Sequence, residues 1–513
     1  MKQSKFQLLS DENCLKLDNW VNKHLITRFF TSFIALAFFY GTFLFFYEIK
    51  FLRELIPVVH PVLIAWAGGL ALYNLIIRKL YTKLPYWKIF FLFLISAGIT
   101  AVITLETGIV SNIKTWILVA LPLFAFYPVC LQTENTKKAL MLSTLGASIV
   151  IFIASLTAIV MYLARFSDTV TFLGLEETLG FIYYIPDDPS SGVILYGAYV
   201  DTNHASVYSL TFATISVILF IFCKKGIFSK NWQNKLGKIF AIANLSVQLI
   251  YFPLANSRGG WLSLIIALFV VSFLLFSSKL TLKKQALKSL MALALSTVCV
   301  ATMVLGLFAL RAGASQAPIV AEKAIVYIHK LIDFGDDDKP QTPTVDKDKE
   351  QMPSADKFEK TDDGTGAGRL TIWKESLELY VNHPIFGVGP NNTEYFGMKH
   401  NISGDKIKYG TAIHNSYLDL LVEYGIVGFG ILISFWAICL VKVVKDLLKN
   451  GAKKDASYYA CAFALLFISG GSALLSCVFV NTTAMYFMML VLVGYLLSQT
   501  NIKGCGKDKL AKN

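Results

Sequence analysis

About a dozen apolar runs, each long enough to cross roughly 30 Å of hydrocarbon, punctuate this chain and narrow its fold to one class. They lie near 29–47, 55–77, 87–104, 114–130, 139–163, 203–223, 239–254, 258–277, 286–310, 415–441, 456–476 and 478–498. In lipid every backbone amide must be satisfied within its own segment, so such runs become helices. With 55% hydrophobic and only 16% charged residues, the expected fold is all-α: a polytopic integral membrane protein of about twelve transmembrane helices. A polar, charged leader precedes the first run. It carries no small-residue cleavage signature and further spans follow it, which predicts an uncleaved first helix.

The net charge of +13 is not a nucleic-acid signal, because of where the lysines sit. If the N-terminus is cytoplasmic, the inner loops are 78–88, 131–138, 223–238, 279–288 and 442–454, and each is net basic, as is the tail after 499. This is the positive-inside pattern with the alternation that twelve crossings require. The implied organisation is a cytoplasmic segment 1–28, nine helices over 29–310 with an outer loop at 165–202, and a large outer loop at 311–414. Three more helices over 415–498 and a cytoplasmic tail at 499–513 complete it. Cys14 and Cys505 fall on the inner tails and the other cysteines within or beside spans, so no outer disulfide framework or zinc site is indicated.

The large outer loop divides in three. Residues 316–334 predict a short amphipathic helix that would lie on the outer leaflet. Residues 335–368 are rich in Asp, Lys, Pro, Thr and Gly, with almost nothing to bury, and predict an acidic flexible insert. Asp346-Lys347-Asp348 and Asp336-Asp337-Asp338 within it resemble metal-binding triplets, but such strings arise freely in a charged low-complexity run; solvated charge is the simpler reading, and no metal or cofactor is expected. From Arg369, Leu370, Trp373, Leu377 and Tyr380 recur at helical spacing, predicting an amphipathic helix over 369–383. It should end before Pro384, since proline disfavours helix in the residue before it.

Four strings carry possible chemistry. Asn256-Ser257-Arg258-Gly259-Gly260 places an arginine between two apolar runs. Asn256 or Ser257 could cap the following helix, whose first amides and dipole favour an anion. Gly259 and Gly260 would let a phosphate approach that backbone, and Arg258 would supply a bidentate fork. An arginine snorkelling at a helix end fits the same residues. Arg369 sits in a helix's first turn on the face of Trp373, which fits a ligand contact or an incidental charge on an interfacial helix. Trp373 and Tyr380 could stack on sugar faces or anchor the interface. His414, ahead of Asn415-Ser416-Tyr417-Leu418, falls at the outer boundary; with an ordinary pKa near 6.5 it is suited to accept a proton, or to a plain interfacial hydrogen bond. Asp201-Thr202-Asn203-His204, at the outer start of the sixth run, could bind a sugar or phosphate or cap the helix.

Together, Arg258 in Asn-Ser-Arg-Gly-Gly-Trp, Arg369 in Gly-Arg-Leu-Thr-Ile-Trp, the segment Asn382-His383-Pro384-Ile385-Phe386-Gly387-Val388-Gly389, and His414-Asn415-Ser416-Tyr417-Leu418 resemble the signature of the O-antigen ligase and Wzy-type polymerase superfamily. The core resemblance spans about 200–430. Thr202 departs from it, where the family often has proline, as does the insert at 335–368.

The resemblance implies a GT-C-like, metal-independent and inverting glycosyltransferase of the bacterial cytoplasmic membrane. It would work on the outer face with both termini inside. The donor would be a glycan on undecaprenyl pyrophosphate and the acceptor a glycan or lipid hydroxyl. Arg258 and Arg369 would hold the leaving pyrophosphate and His414 would take the acceptor proton. Asn203, Asn256, Ser257, Gly259, Gly260, Trp373, Asn415 and Tyr417 would line the substrates. A composition rich in Lys, Ile, Phe and Asn hints at an AT-rich genome without lipopolysaccharide, which favours a surface-polysaccharide polymerase over a ligase. A lipid-linked oligosaccharide transporter predicts midplane charges and internal repeats, neither of which is evident. A membrane scaffold would leave Arg258 and His414 without a joint role.

Overall fold

The computed structural model of the chain describes residues 11–172, 175–185, 188–332, 367–472 and 483–500. Two helices, α1 (Asp11–Lys23) and α2 (Leu25–Phe30), lead into α3 (Phe33–Leu44). Then come α4 (Ile56–Ile76), α5 (Trp87–Ile103), α6 (Ile109–Ala125) and α7 (Thr136–Leu163). After a small sheet follow α8 (Thr202–Lys224), α9 (Asn231–Ala255), α10 (Arg258–Lys279) and α11 (Gln285–Ile332). The last five are α12 (Ala367–Asn382), α13 (Thr393–Lys399), α14 (Ser416–Asn450), α15 (Ala456–Ser472) and α16 (Ala484–Ser498). Each apolar run of the sequence falls on one of these helices. Among the described residues, 7 helices are long and apolar enough to cross a membrane: those containing α4, α7, α8, α9, α10, α11 and α14. Shorter apolar helices occupy the remaining runs. The protein is a mostly helical, polytopic membrane protein.

Helices α8 and α16 form the centre. Every residue from Ala484 to Leu497 is buried, as expected of a helix that is apolar all round. In α8 the buried residues include Ser206, Ser209, Thr211, Thr214 and Ser216; small side chains let backbones approach where no hydrophobic effect drives helices together. A polar ladder locks this centre. Ser209 Oγ donates to Gln248 O at 2.8 Å, Asn244 Nδ2 to Ser216 Oγ at 2.9 Å, and Ser155 Oγ to Gln248 Oε1 at 3.0 Å, tying α7, α8 and α9.

Loops assigned to one side meet there. Asp455 receives Lys225 Nζ at 2.8 Å and Lys137 Nζ at 3.6 Å, and Lys279 Nζ donates to Ala452 O at 2.7 Å. Four of the basic loops therefore share one end of the bundle, opposite the first turns of α8 and α10.

Two features depart from the expectations. The loop at 165–202 is not an irregular connection in an all-α chain. It holds an antiparallel sheet of β1 (Asp168–Phe172), β2 (Leu175–Ile185) and β3 (Asp188–Gly197), in that spatial order. Thr169 pairs with Thr178, their hydroxyls 3.1 Å apart, and Phe181, Val193 and Leu195 are buried. β-Branched and aromatic runs either side of Pro186-Asp187-Asp188-Pro189 were the available signal.

Second, the separate amphipathic helix expected over 316–334 is the continuation of α11, unbroken from Gln285 to Ile332. At 1.5 Å per residue this helix is roughly 72 Å long, more than twice the hydrocarbon thickness. The polarity change at Arg311 marks the edge of the apolar segment, not a helix end, because an α-helix satisfies its own amides in water and in lipid alike.

Candidate active site

Helix α9 ends at Ala255, and Asn256 turns the chain with a left-handed backbone, φ 53° and ψ 35°, a conformation asparagine tolerates better than most residues. Of the two possible caps, Ser257 serves. Its Oγ accepts from Gly260 N at 3.1 Å and donates to Asn203 Oδ1 at 2.9 Å. The Asn256 side-chain Oδ1 instead accepts from Arg311 Nη1 at 2.8 Å. The first turns of α8 and α10, the end of α9 and the middle of α11 are thus tied together, with Arg258 exposed above a buried Ser257. Gly260 is a packing glycine: a Cβ there would lie 2.3 Å from Ser206 Oγ of α8, so that face is closed to a ligand. Gly259 is buried in the same turn. Asn203 also joins the cap of its own helix, donating its amide to Asp201 Oδ1 at 2.6 Å.

The second component is a break in α14. Gly425 leaves the helical region, with φ 61° and ψ −174°, which uncovers amides and carbonyls that cannot stay unpaired in a membrane protein. Residues 384–389 insert there, beginning in a turn that Gly387 N closes onto His383 O at 3.1 Å. Ile426 N donates to Pro384 O at 2.8 Å and Val427 N to Ile385 O at 3.2 Å; Val388 N donates to Val422 O at 3.0 Å and Gly389 N to Glu423 O at 2.8 Å. Thr100 Oγ1 of α5 donates to Phe386 O at 2.7 Å. This fastens to α14 a small cap whose core is Ile372, Leu379, Val388, Phe396, Ile402, Ile407, Ile413 and Val422.

Arg369 lies in the first turn of α12, half-buried, one turn before Trp373. The buried side of α12 is Ile372, Glu375, Ser376 and Leu379, whereas Leu370 and Leu377 are 64% and 47% exposed. This corrects the face read from the apolar spacing. Residues 400–411 fold back over the other side, and Ile407 N donates to Glu375 Oε2 at 2.9 Å. Backbone donors arriving from a later loop make a buried carboxylate acceptable; apolar periodicity cannot register such partners.

Trp373 Nε1 donates to Ile413 O at 3.0 Å, so the edge of this indole supports the residue before His414. His414 is half-buried with φ 53°. Asn415 caps α14, accepting from Tyr417 N at 3.1 Å and Leu418 N at 3.2 Å. Tyr417 Oη donates to Ser469 O on α15 at 3.1 Å, and a Cβ added at the neighbouring Gly470 would meet Ser263 of α10 at 3.7 Å. The helix that carries Arg369 is thus bonded to the residue before His414, and the first turn of α14 is bonded to α15, which packs on α10. Sequence reasoning missed Arg311 and Glu375, each a charge in or beside an apolar stretch. The triplets Asp336–Asp338 and Asp346–Asp348 lie outside the described residues.

His383, just before the inserted segment, meets His400 with their Nε2 atoms 2.7 Å apart. Burial, then His400 and the Lys399 ammonium, hold the His383 imidazole below its ordinary value of 6.5, while Lys399 itself pairs with Glu106 at 2.6 Å. The folded cap therefore binds fewer protons here than the unfolded segment does. Its stability is full above the ordinary value and falls as pH drops through 6.5 toward the lowered one. Hydrogen exchange across 383–400 should accelerate, beyond the intrinsic pH effect, between about pH 7.5 and 5.5. His383→Asn should flatten that dependence; an unchanged slope in this variant would remove the histidine pair as its cause.

Residues 243–433 match the family model described as O-antigen ligase. The match includes Arg258, Arg369 and His414 and leaves Asn203 outside. No curated protein matches the chain.

Proposed function

We propose, on the premise that residues 243–433 carry an O-antigen ligase domain, that this protein is a metal-independent, inverting glycosyltransferase using a glycan on undecaprenyl pyrophosphate. The reading places it in the bacterial cytoplasmic membrane as a GT-C-like protein of twelve crossings, both termini inside. The organisation 1–28, 29–310, 311–414, 415–498 and 499–513 belongs to the same proposal. The acceptor hydroxyl attacks the anomeric carbon, its proton passes to His414, and the lipid pyrophosphate leaves from the opposite face. Negative charge builds on that pyrophosphate, and preorganised cations beside a low-dielectric wall stabilise it strongly. Arg258, at the positive end of α10, and Arg369 supply them.

The observation that supports this reading is a set of ties between distant segments: Ser257 to Asn203 beside Arg258, Trp373 of the Arg369 helix to Ile413 before His414, and Tyr417 to Ser469 of α15, a helix that packs on α10. Asn256, Ser257, Gly260, Asn415 and Tyr417 serve that assembly as struts. Asn203 and Gly259 belong to it too, and Trp373 frames its α12 side.

Polymerisation of a surface polysaccharide is the favoured reaction; transfer of a finished glycan to a lipid, wall polymer or protein is the second, favoured by the family description itself. Deleting the protein separates them on a surface-glycan gel. A polymerase leaves single repeat units on the acceptor, whereas a ligase leaves the acceptor bare while long lipid-linked chains accumulate. Unchanged glycans in the deletion strain would overturn both.

A further inference from the structure

At the outer end of the bundle, one residue from Asn203, stands an acid–base pair that the reaction above does not use. Glu48 closes the 3-10 turn Phe45–Glu48 after α3. Its carbonyl accepts from Val200 N at 3.0 Å, and Lys50 N donates to Ala198 O at 2.8 Å. These bonds clamp the Glu48 backbone across the linker that enters α8. The side chain then meets His204 in the first turn of α8, with Nδ1 and Glu48 Oε2 3.1 Å apart. Both are largely withdrawn from solvent, with side-chain exposures of 27% for His204 and 16% for Glu48. The Tyr208 ring packs edge-on to the imidazole, centroids 6.3 Å apart. No hydrogen-bond partner meets His204 Nε2 among the described residues.

A carboxylate on Nδ1–H fixes the orientation of an imidazole and stabilises its protonated form. That leaves Nε2–H as the proton-bearing edge. The pair also has an address. Asn203, the preceding residue, accepts from Ser257, which caps the helix that Arg258 opens. His204 therefore stands on the arginine side of the assembly, whereas His414 stands with α12 and α15.

We infer that His204, held by Glu48, is the general acid of the transfer. The inference rests on the glycosyl-transfer reading above. As the anomeric C–O bond to the pyrophosphate breaks, Nε2–H gives its proton to the departing oxygen. His414 takes the acceptor's proton as the new C–O bond forms. Acceptor alcohol and glycosyl pyrophosphate become glycoside and protonated lipid pyrophosphate, and the two imidazoles return to their starting states by proton exchange with solvent. Two titratable groups in different surroundings thereby divide the acid and base roles. Arginine neutralises a leaving pyrophosphate without giving up a proton, so a separate acid complements the clamp.

The test uses the full chain in proteoliposomes with a lipid-pyrophosphate-linked glycan, measuring kcat and KM against pH. His204→Gln should lower kcat about 100-fold, with donor KM changed by less than about 3-fold. Glu48→Gln should cost less in kcat and move the alkaline limb of the profile down by about one pH unit, because the imidazolium loses its counter-charge. Wild-type kcat and an unmoved alkaline limb in both variants, with Arg258→Ala inactive, would overturn the acid role and leave the transferase reading standing. If wild-type protein fails to transfer from the pyrophosphate donor, the transferase reading falls first. Should His204→Gln lose its melting transition in detergent, the isosteric Glu48→Gln decides alone: a moved limb supports the role, an unmoved one overturns it.

Discussion

Replacing Arg258 with alanine is expected to lower kcat for glycosyl transfer by about two to three orders of magnitude while the protein stays folded. The fold should tolerate the change because Arg258 is exposed at the start of α10, while the cap belongs to Ser257 and the α8 contact to Gly260. Arg258→Lys separates charge from shape: a lysine keeps the cation but loses the planar fork that grips two phosphate oxygens, so most of the loss should persist. Arg369→Ala and His414→Ala should each bring a comparable loss, the second without weaker donor binding, since a general base acts on the acceptor. The measurement is single-turnover transfer from a lipid-pyrophosphate glycan, with product resolved on a gel. Full activity in two of the three alanine variants would dismantle the proposed centre.

The largest structural effect should come from Gly425→Val. The backbone at 425 occupies a region open almost only to glycine, costing another residue about 1–3 kcal/mol. A Cβ would also sit 2.3 Å from Ile385 O. That neighbour is backbone, held by its bond to Val427 N, so it cannot swing aside, and overpacking of this kind adds about 1–3 kcal/mol. Gly387 is the mirror case, with φ 75° and a would-be Cβ 2.4 Å from the Glu423 carbonyl. The control lies one and a half turns further along the same helix, where Gly430 has nothing within 4 Å of its would-be Cβ. Gly430→Ala should be neutral or slightly stabilising by helix propensity. Detergent melting, followed by hydrogen exchange of 384–389, reads both. Equal melting of Gly425→Val and wild type would show that the inserted segment does not depend on the break.

The candidate residues were legible because each stands out from its surroundings: an arginine between apolar runs, a histidine before a span, a glycine pair where a helix starts. Their partners were not legible. Asn256 and Ser257 are adjacent and equally good caps by type; Ser257 takes the role because Asn256 turns the chain and faces Arg311 from α11. The two glycines after Arg258 suggested room for a phosphate, yet Ser206 of α8 fills the space beside Gly260. The apolar spacing of α12 pointed to Leu370 and Leu377, while the buried side carries Glu375, satisfied by a loop some thirty residues later.

Hydrophobicity along the chain determined where the helices lie, because burying backbone amides in an apolar medium is so costly that every long apolar run must satisfy them internally. The basic loops, by the same local logic, were assigned to one end. Only the tertiary structure decided which glycine breaks α14, which serine caps α10, which side of α12 is buried, and that the loop before α8 is a sheet. Each of those depends on a hydrogen-bond partner or a close backbone contact contributed by a remote segment. Such bonds are short-ranged and directional, so they exist only once the packing has brought both ends together.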